Sequence, residues 1–389
     1  MARRKSRRYG PPTYNDPSGS GEAGRHHGRV IMDRRSFITK GALAATAASA
    51  LAAPAYAQGN RTLTLVTTWG RGAAGVHDAA QRCADSITAM TDGQLTVDLK
   101  AGGELVGAFE VFDAVTAGQA DMYHGADYYW INSHPAFAFF TAVPFGMTAQ
   151  ELANWYYHGD GHALHDELGQ IFGLKSFLAG NTGAQAGGWF RNEITSAADF
   201  QGLRFRMPGL GGEALGRMGA SVQNLPGAEV YQALATGALD GTEWIGPWSD
   251  EAAGFQEITK IYYTAGMHEP GAGLTLAFNR EVFESFTPAQ QKICEIAAAE
   301  SHQYNLAQYL KNNGAALQRL IAGGVQALQF PDDVWDAMGV AAAETLDQYM
   351  DDELFARARE SVNASMRASS AWIDLSEGQY RAQRDRILG

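Results

Sequence analysis

Leu63-Thr64-Leu65-Val66-Thr67 alternates apolar and polar side chains and reads as a β-strand. A Gly-rich turn (Gly70, Gly72, Gly75) follows, and helical periodicity runs to about Met90. Leu95–Leu99 alternates again, Phe109–Thr116 is helical, and Ala120–His124 is a short strand. This succession is the βαβ rhythm of a parallel sheet. Glu151–Phe172 is mostly helical.

A second series begins near Gly173. Leu174–Leu178, Leu203–Met207, Ser221–Leu225 and Asp240–Ile245 read as strands, with helices at Gly211–Met218 and Ala228–Thr236 between them. Leu274–Asn279 returns to strand. Thr287-Pro288, an N-cap followed by a first-turn proline, opens a helix that reaches about Ala322. At ~1.5 Å per residue it is roughly 50 Å long, more than one domain needs, so it is expected to brace two. Val325–Phe330 is a last strand, and Asp332–Leu388 is nearly all helical. The expected fold class is α/β, with two domains joined by several chain crossings and no linker between 58 and 389.

The length of 389 residues suits two or three cores, and 46% hydrophobic residues exclude wholesale disorder. Two cysteines exclude a disulfide framework. Residues 1–57 hold 10 basic and 3 acidic residues, leaving 20 basic against 39 acidic in the rest, a net −19. A body that acidic argues against nucleic acid and anionic lipid as partners.

The N-terminus reads as targeting. Asp33-Arg34-Arg35-Ser36-Phe37-Ile38 is close to a twin-arginine pattern, Gly41–Ala53 is apolar, and Ala55-Tyr56-Ala57 is a small-x-small cleavage site before Gln58. Residues 1–31 form an Arg-, Gly-, Pro- and Ser-rich upstream extension, with Met32 the expected true start. The destination is the periplasm. There Cys83 and Cys294 either pair or are two small buried hydrophobes.

Among catalytic templates, Gly-x-Ser-x-Gly, the P-loop and His-Glu-x-x-His are missing. Gly70-Arg71-Gly72-Ala73-Ala74-Gly75 has dinucleotide-loop spacing with Asp98 as its acidic partner, but an exported protein meets little NAD. His158, His162 and His165 fall on one helical face. Trp155 and Tyr156 beside them favour a partly exposed helix over a metal site.

The informative stretch is 180–270. Gly180–Phe190 is Gly-rich with two amides, so backbone can approach a ligand closely. Phe205-Arg206-Met207-Pro208-Gly209 places an Arg at a strand end between apolar neighbours. Its fork suits either a bound carboxylate or an internal salt bridge. Glu243 lies in an aromatic run, Gly241-Thr242-Glu243-Trp244-Ile245-Gly246-Pro247-Trp248, where a carboxylate needs a cation or a donor.

Taken in order, Gly180-Asn181-Thr182-Gly183, Gln185, Gly187-Gly188-Trp189-Phe190, Phe205 to Gly212, Asn224-Leu225-Pro226-Gly227, Gly241-Thr242-Glu243-Trp244 and His268-Glu269-Pro270-Gly271 resemble the substrate-binding subunit of tripartite ATP-independent periplasmic (TRAP) transporters. They are most similar to the branch that binds 2-oxo acids or lactate with a metal ion. The resemblance covers essentially all of 60–350; residues 1–31 and the tail past about 355 have no counterpart.

The resemblance implies a two-lobed periplasmic binding protein fold, type II-like, with a long bracing helix and a helical C-terminal tail. Lobe I would take 58–179 and 271–325, and lobe II 180–270 and 326–389. It implies Arg206 as carboxylate binder, Gln185 and Glu243 as side-chain cation ligands, and the Trp244 carbonyl as another. Asn181 lies within reach of the ligand, and Tyr129, ahead of Tyr128, closes over it. The cation would be Na⁺ or Ca²⁺, the cargo a small 2-oxo or 2-hydroxy monocarboxylate, and the partner a membrane permease, with a homodimer through the C-terminal helices. Two other readings stand beside it: an exported metal-assisted enzyme anchoring an organic acid on Arg206, and a receptor feeding a sensor kinase.

Overall fold

Leu63 and Leu65 of β1 (Arg61–Thr67) bury one face of the strand while Val66 enters the apolar cluster on the other. The computed structural model describes residues 60–388, so the expected signal segment and the start at Met32 lie outside the described residues. From β1 the chain runs through α1 (Val76–Met90), β2 (Leu95–Lys100), α2 (Val111–Thr116) and β3 (Met122–Gly125). It then forms the short α3 (Ala138–Thr141), the helices α4 (Ala149–His158) and α5 (Gly161–Ile171), and β4 (Leu174–Asn181). Cys83, Ala84 and Ile87, spaced along one face of α1, fill the layer on the Leu65 side.

The second series comprises β5 (Gly188–Phe190), β6 (Arg204–Arg206), α6 (Gly209–Arg217), β7 (Ser221–Gln223), α7 (Gly227–Ala235), β8 (Gly241–Thr242), α8 (Pro247–Ala253) and β9 (Ile261–Tyr263). β10 (Gly273–Asn279) then returns to the first sheet. α9 (Arg280–Glu284), α10 (Pro288–Ala322), β11 (Gln326–Leu328), α11 (Asp332–Asp347), α12 (Glu353–Ile373) and α13 (Gln379–Leu388) complete the chain.

Two sheets result, ordered β2-β1-β3-β10-β4 and β11-β9-β5-β8-β6-β7. Neither is purely parallel. β10 enters from the other sheet's side rather than through a helical crossover, so it runs antiparallel to β3 and β4. β5 is likewise antiparallel to β8 and β9. β5 and β9, three residues each, are unexpected, because neither is long enough to display the alternation that reveals a strand in sequence. The strand expected over Asp240–Ile245 is only Gly241–Thr242, because the backbone leaves the sheet at Glu243.

The expected long helix forms. Thr287 Oγ1 accepts the Gln290 N–H (3.2 Å), and Gln290 Oε1 accepts the Thr287 N–H (3.0 Å), a reciprocal cap that starts α10. Its 35 residues pack on β4 and α1 at one end and on α8 at the other, so it braces both sheets. The tail departs from expectation. α11 packs on α6, but α12 crosses back to α4 and α5 instead of staying with the second sheet. Leu354, Phe355, Ala358 and Val362 form a helical stripe that joins the first sheet's core, and Trp155 Nε1 donates to Ser361 Oγ (2.9 Å). Among the described residues no helix is long and apolar enough to cross a membrane.

Candidate functional site

Strand alternation sorts β6. Phe205 turns into the aromatic cluster with Phe190, and Arg206 turns to the opposite face, 1% exposed. β8 lies parallel beside it, with Arg206 opposite Thr242, and the next N–H, of Glu243, donates to the Arg206 carbonyl (3.2 Å). The two side chains therefore leave adjacent strand ends side by side. Arg206 Nη1 donates to Glu243 Oε1, and Nε donates to the Leu225 carbonyl (3.2 Å). The guanidinium carbon stands 5.4 Å from the centre of the Trp244 ring. Burial works against the charge on Arg206. Glu243, then Tyr129, Tyr128 and Glu269, more than restore it, so its pKa is raised and the side chain stays cationic. Both readings of Arg206 meet here: it is in a salt bridge, yet Nη2 is buried without a partner.

The backbone after Glu243 is pinned. Asp250 Oδ1 accepts the N–H groups of Ile245 (3.0 Å) and Gly246 (2.9 Å), and Oδ2 accepts Trp189 Nε1 (3.0 Å). Burial pushes the Asp250 carboxyl up to about 7. These bonds fix the turn that begins at Trp244. Gln185 comes from the connection between β4 and β5. Its N–H donates to the Glu269 carbonyl (3.0 Å) and its Nε2 to Thr182 Oγ1 (3.1 Å), which leaves Oε1 buried and unpartnered.

The first sheet supplies Tyr128 and Tyr129 on a single 3₁₀ turn, Asp127–Trp130. Asp127 anchors the turn, accepting from Tyr123 (3.1 Å) and Thr275 (2.9 Å) and pairing with His165 Nε2 (2.8 Å). Tyr129 lies beside Arg206, and its ring packs on Phe109 at 4.7 Å between centroids. Tyr128 packs on Gly209, the first residue of α6. Gly209 has φ +63, and a Cβ there would stand 2.8 Å from the tyrosine ring.

Tyr128, Tyr129, Gln185, Arg206 and Trp244 thus line one cavity with about 300 Å³ of space not filled by atoms, closed on the first sheet's side by Trp69. Glu243 reaches it through Arg206. Asn181 is not in its wall: Oδ1 accepts the Gly183 N–H (2.8 Å), though Nδ2 is buried without a partner. Two neighbours that carried no assigned role now join the site. Glu269 is buried with the Tyr128 hydroxyl facing its carboxylate, and His268 Nε2 lies 3.6 Å from Glu243 Oε2. Burial and then Glu243 push the Glu269 carboxyl well above the usual range. Their sequence signal was the His268-Glu269-Pro270-Gly271 run itself, which has no periodic element to place it.

Residues 67–353 match the family model described as bacterial extracellular solute-binding protein, family 7. The chain belongs to that family. A monocarboxylate 2-oxoacid-binding periplasmic protein of Nostoc sp. is 37% identical over 317 residues, 81% of this chain and 87% of its own. A TRAP periplasmic solute-binding protein from Pseudoalteromonas atlantica, solved with sodium and pyruvate, is 35% identical with a TM-score of 0.80 over 83% of this chain and 99% of its own. One from Colwellia psychrerythraea, solved with calcium and pyruvate, is 35% identical with a TM-score of 0.81 at the same coverage.

The remaining sequence candidates find structural roles in this solute-binding protein. Gly75 of the dinucleotide-like loop caps α1 and sits against the Tyr309 ring, where a Cβ would clash. Asp98 pairs with Lys100 at the surface. The three histidines sit on two helices and do not converge: His158 is exposed, His162 is half-buried beside Tyr156, and His165 stacks on Phe140 while bonded to Asp127. Cys83 and Cys294 are free, buried thiols in the first sheet's core, and burial pushes both up to about 12.

Proposed function

We propose that this chain is the extracytoplasmic receptor of a TRAP transporter that binds a small 2-oxo or 2-hydroxy monocarboxylate (pyruvate, another 2-oxo acid, or lactate) together with Na⁺ or Ca²⁺. One observation carries the reading. In the wall of one cavity a buried guanidinium keeps a free Nη2 and Gln185 Oε1 has no hydrogen-bond partner, and Glu243, paired to that guanidinium, has Oε2 without one. Buried polar atoms are normally satisfied, so one spare donor and two spare acceptors mark ligand positions. Nη2 of Arg206 suits a carboxylate oxygen. Gln185, Glu243 and the Trp244 carbonyl are the hard oxygen donors that Na⁺ and Ca²⁺ prefer.

A 2-oxo or 2-hydroxy acid offers the cation two oxygens on adjacent carbons. Tyr129 and Tyr128 cover it from the first lobe, and Asn181 Nδ2 is a further donor at the lobe junction. The lobes, 58–179 with 271–325 and α12, and 180–270 with β11 and α11, close as a hinge, with Tyr128 seated on Gly209 when shut. The site binds and releases. The cargo passes to the membrane permease after export by the twin-arginine-like signal to the periplasm. The exposed apolar residues of the C-terminal helices, Trp372 and Tyr380 among them, support a homodimer. The Nostoc relative and the two pyruvate-bound structures support the same ligand class.

A thermal-shift panel of 2-oxo, 2-hydroxy and dicarboxylic acids, each with and without Na⁺ or Ca²⁺, tests the reading. Pyruvate or a close analogue should stabilise the protein only with a cation. Stabilisation by dicarboxylates alone, or by pyruvate after thorough cation removal, would end it.

A further inference from the structure

We propose that the cavity at the β4 edge of the first sheet, lined by Tyr156, Tyr157, His162, Phe177, Leu178 and Glu295, is a second binding site and takes a small organic ammonium ion. It shares no lining residue with the cavity that holds Arg206, so the inference stands apart from the receptor reading.

Three helices and a strand build it. The last turn of α4 brings Tyr156 and Tyr157, α5 opens with His162, β4 adds Phe177 and Leu178, and Glu295 comes from near the start of α10. Their packing leaves a space of about 150 Å³. A void of ~150 Å³ holds a molecule the size of benzene, so a branched alkylammonium fits. The rings are contiguous. Tyr156 meets Tyr157 edge to face at 5.2 Å between centroids and His162 at 5.6 Å, and His162 stacks with Phe177 at 6.1 Å. The Tyr156 hydroxyl is taken up by His165 Nδ1 (3.3 Å) and the Leu178 N–H (3.2 Å), so this residue offers the cavity its ring.

Charge picks the ligand class. Aromatic faces attract a cation, most strongly away from water, and several together recognise alkylated ammonium groups. Glu295 is the charged side chain of the lining. Its partner Lys292 (2.7 Å) is 62% exposed and Glu295 itself 46%, a surface contact worth little, so the carboxylate can meet a second cation. Lys175 Nζ stands 5.5 Å from the Phe177 ring centre, but it is held to Asp166 (2.8 Å) and is not in the lining. Nε2 of His162 is buried without a hydrogen-bond partner. Burial, and then Lys175, lower the pKa of that ring, so it is neutral and can accept an ammonium N–H. An anion would face Glu295 with no lining cation to meet it. A metal ion does not suit the spacing: among the described residues only Glu243, His268 and Glu269 bring three such ligating atoms within 4.8 Å of one another.

The test uses the full chain in amine-free potassium phosphate, read by saturation-transfer NMR and calorimetry. The probes are isobutylammonium, choline, and 3,3-dimethylbutan-1-ol as the uncharged isostere of choline. At least one ammonium should half-saturate the protein at about 1 mM or below, with the alcohol roughly tenfold weaker or more. Glu295→Gln and Tyr157→Leu, both at partly exposed positions, should each weaken that ammonium roughly fivefold or more while melting temperature stays near that of wild type. Failure of both ammonium ions to bind below about 10 mM overturns the inference, and so does an alcohol within about threefold of choline, a comparison that needs no variant to fold. Wild-type affinity in both variants would place the bound cation elsewhere and overturn it as well.

Discussion

Arg206 and Glu243 form an ion pair sealed from water, the two side chains 1% and 0% exposed, across the ends of neighbouring parallel strands. A pair so buried does not simply add stability, since desolvating both ions offsets most of their attraction. It does set up a large penalty when one partner is lost. Arg206 is also the group whose free nitrogen meets the ligand, so its removal acts on two quantities at once.

Arg206→Ala should therefore abolish pyruvate binding and also lower unfolding free energy by about 3–5 kcal/mol, because Glu243 is left buried and unpaired. Converting both residues to methionine should recover more than half of that stability and none of the binding. Urea denaturation and calorimetry on the three variants check this. Equal stability of wild type and Arg206→Ala would mean that water reaches Glu243.

The sequence exposed the parts of this arrangement that depend on local chemistry. An Arg between Phe205 and Met207 at a strand end and a Glu beside Trp244 are chemically conspicuous, and α10 declares itself through Thr287 and Pro288. What stayed hidden depends on distant partners. Glu269 gains its meaning only when Gln185, far upstream, bonds its backbone. Asp127 looks like any turn aspartate until Thr275 and His165 reach it. The stripe on α12 fits either lobe, and only the shape of the α4–α5 surface selects the first. β5 and β9, three residues each, carry no alternation of their own, whereas the similarly short β6, β7, β8 and β11 lie inside longer strand-like runs.

Closure should depend on Gly209. Its left-handed φ of +63 and the 2.8 Å approach of a Cβ to Tyr128 make alanine unwelcome only when the lobes are shut, apart from a backbone strain of about 1 kcal/mol that is present in either state. Gly209→Ala should weaken pyruvate affinity roughly tenfold or more while lowering the ligand-free melting temperature by only a few degrees. Small-angle scattering should show less compaction on ligand addition. Full compaction at wild-type affinity would remove this contact from the closure.

Acid should loosen the cavity wall through His124. The ring is buried, and its Nδ1 accepts the indole N–H of Trp69 (2.8 Å), which requires the neutral imidazole. Burial lowers its pKa to about 3 from an ordinary value near 6.5. The unfolded chain binds the proton first, so stability is full above about pH 6.5 and falls as pH drops toward 3, by up to ~1.4 kcal/mol per unit. His124→Asn, which keeps an acceptor without titrating, should flatten the difference in melting temperature between pH 6.5 and 4. Parallel pH profiles for the two proteins would show that His124 does not report the acid transition.

The C-terminal helices offer the clearest separation of fold from assembly. After Val362 no described residue is buried, yet Trp372 is 72% exposed, Tyr380 66% and Ile387 68%. Such residues add nothing to the chain's own core, and exposed apolar side chains concentrated on one projecting segment are a surface for association. A chain ending at Ile373 loses α13 and the turn before it but no buried side chain. Its melting temperature and pyruvate affinity should match those of the full chain at low concentration. Light scattering should give a dimer for the full chain and a larger monomer fraction for the shortened one. A full-length monomer at micromolar concentration would dispose of the dimer. An unchanged dimer after truncation would move the contact to α11 or α12, and a fall in melting temperature would mean that the tail supports its own lobe after all.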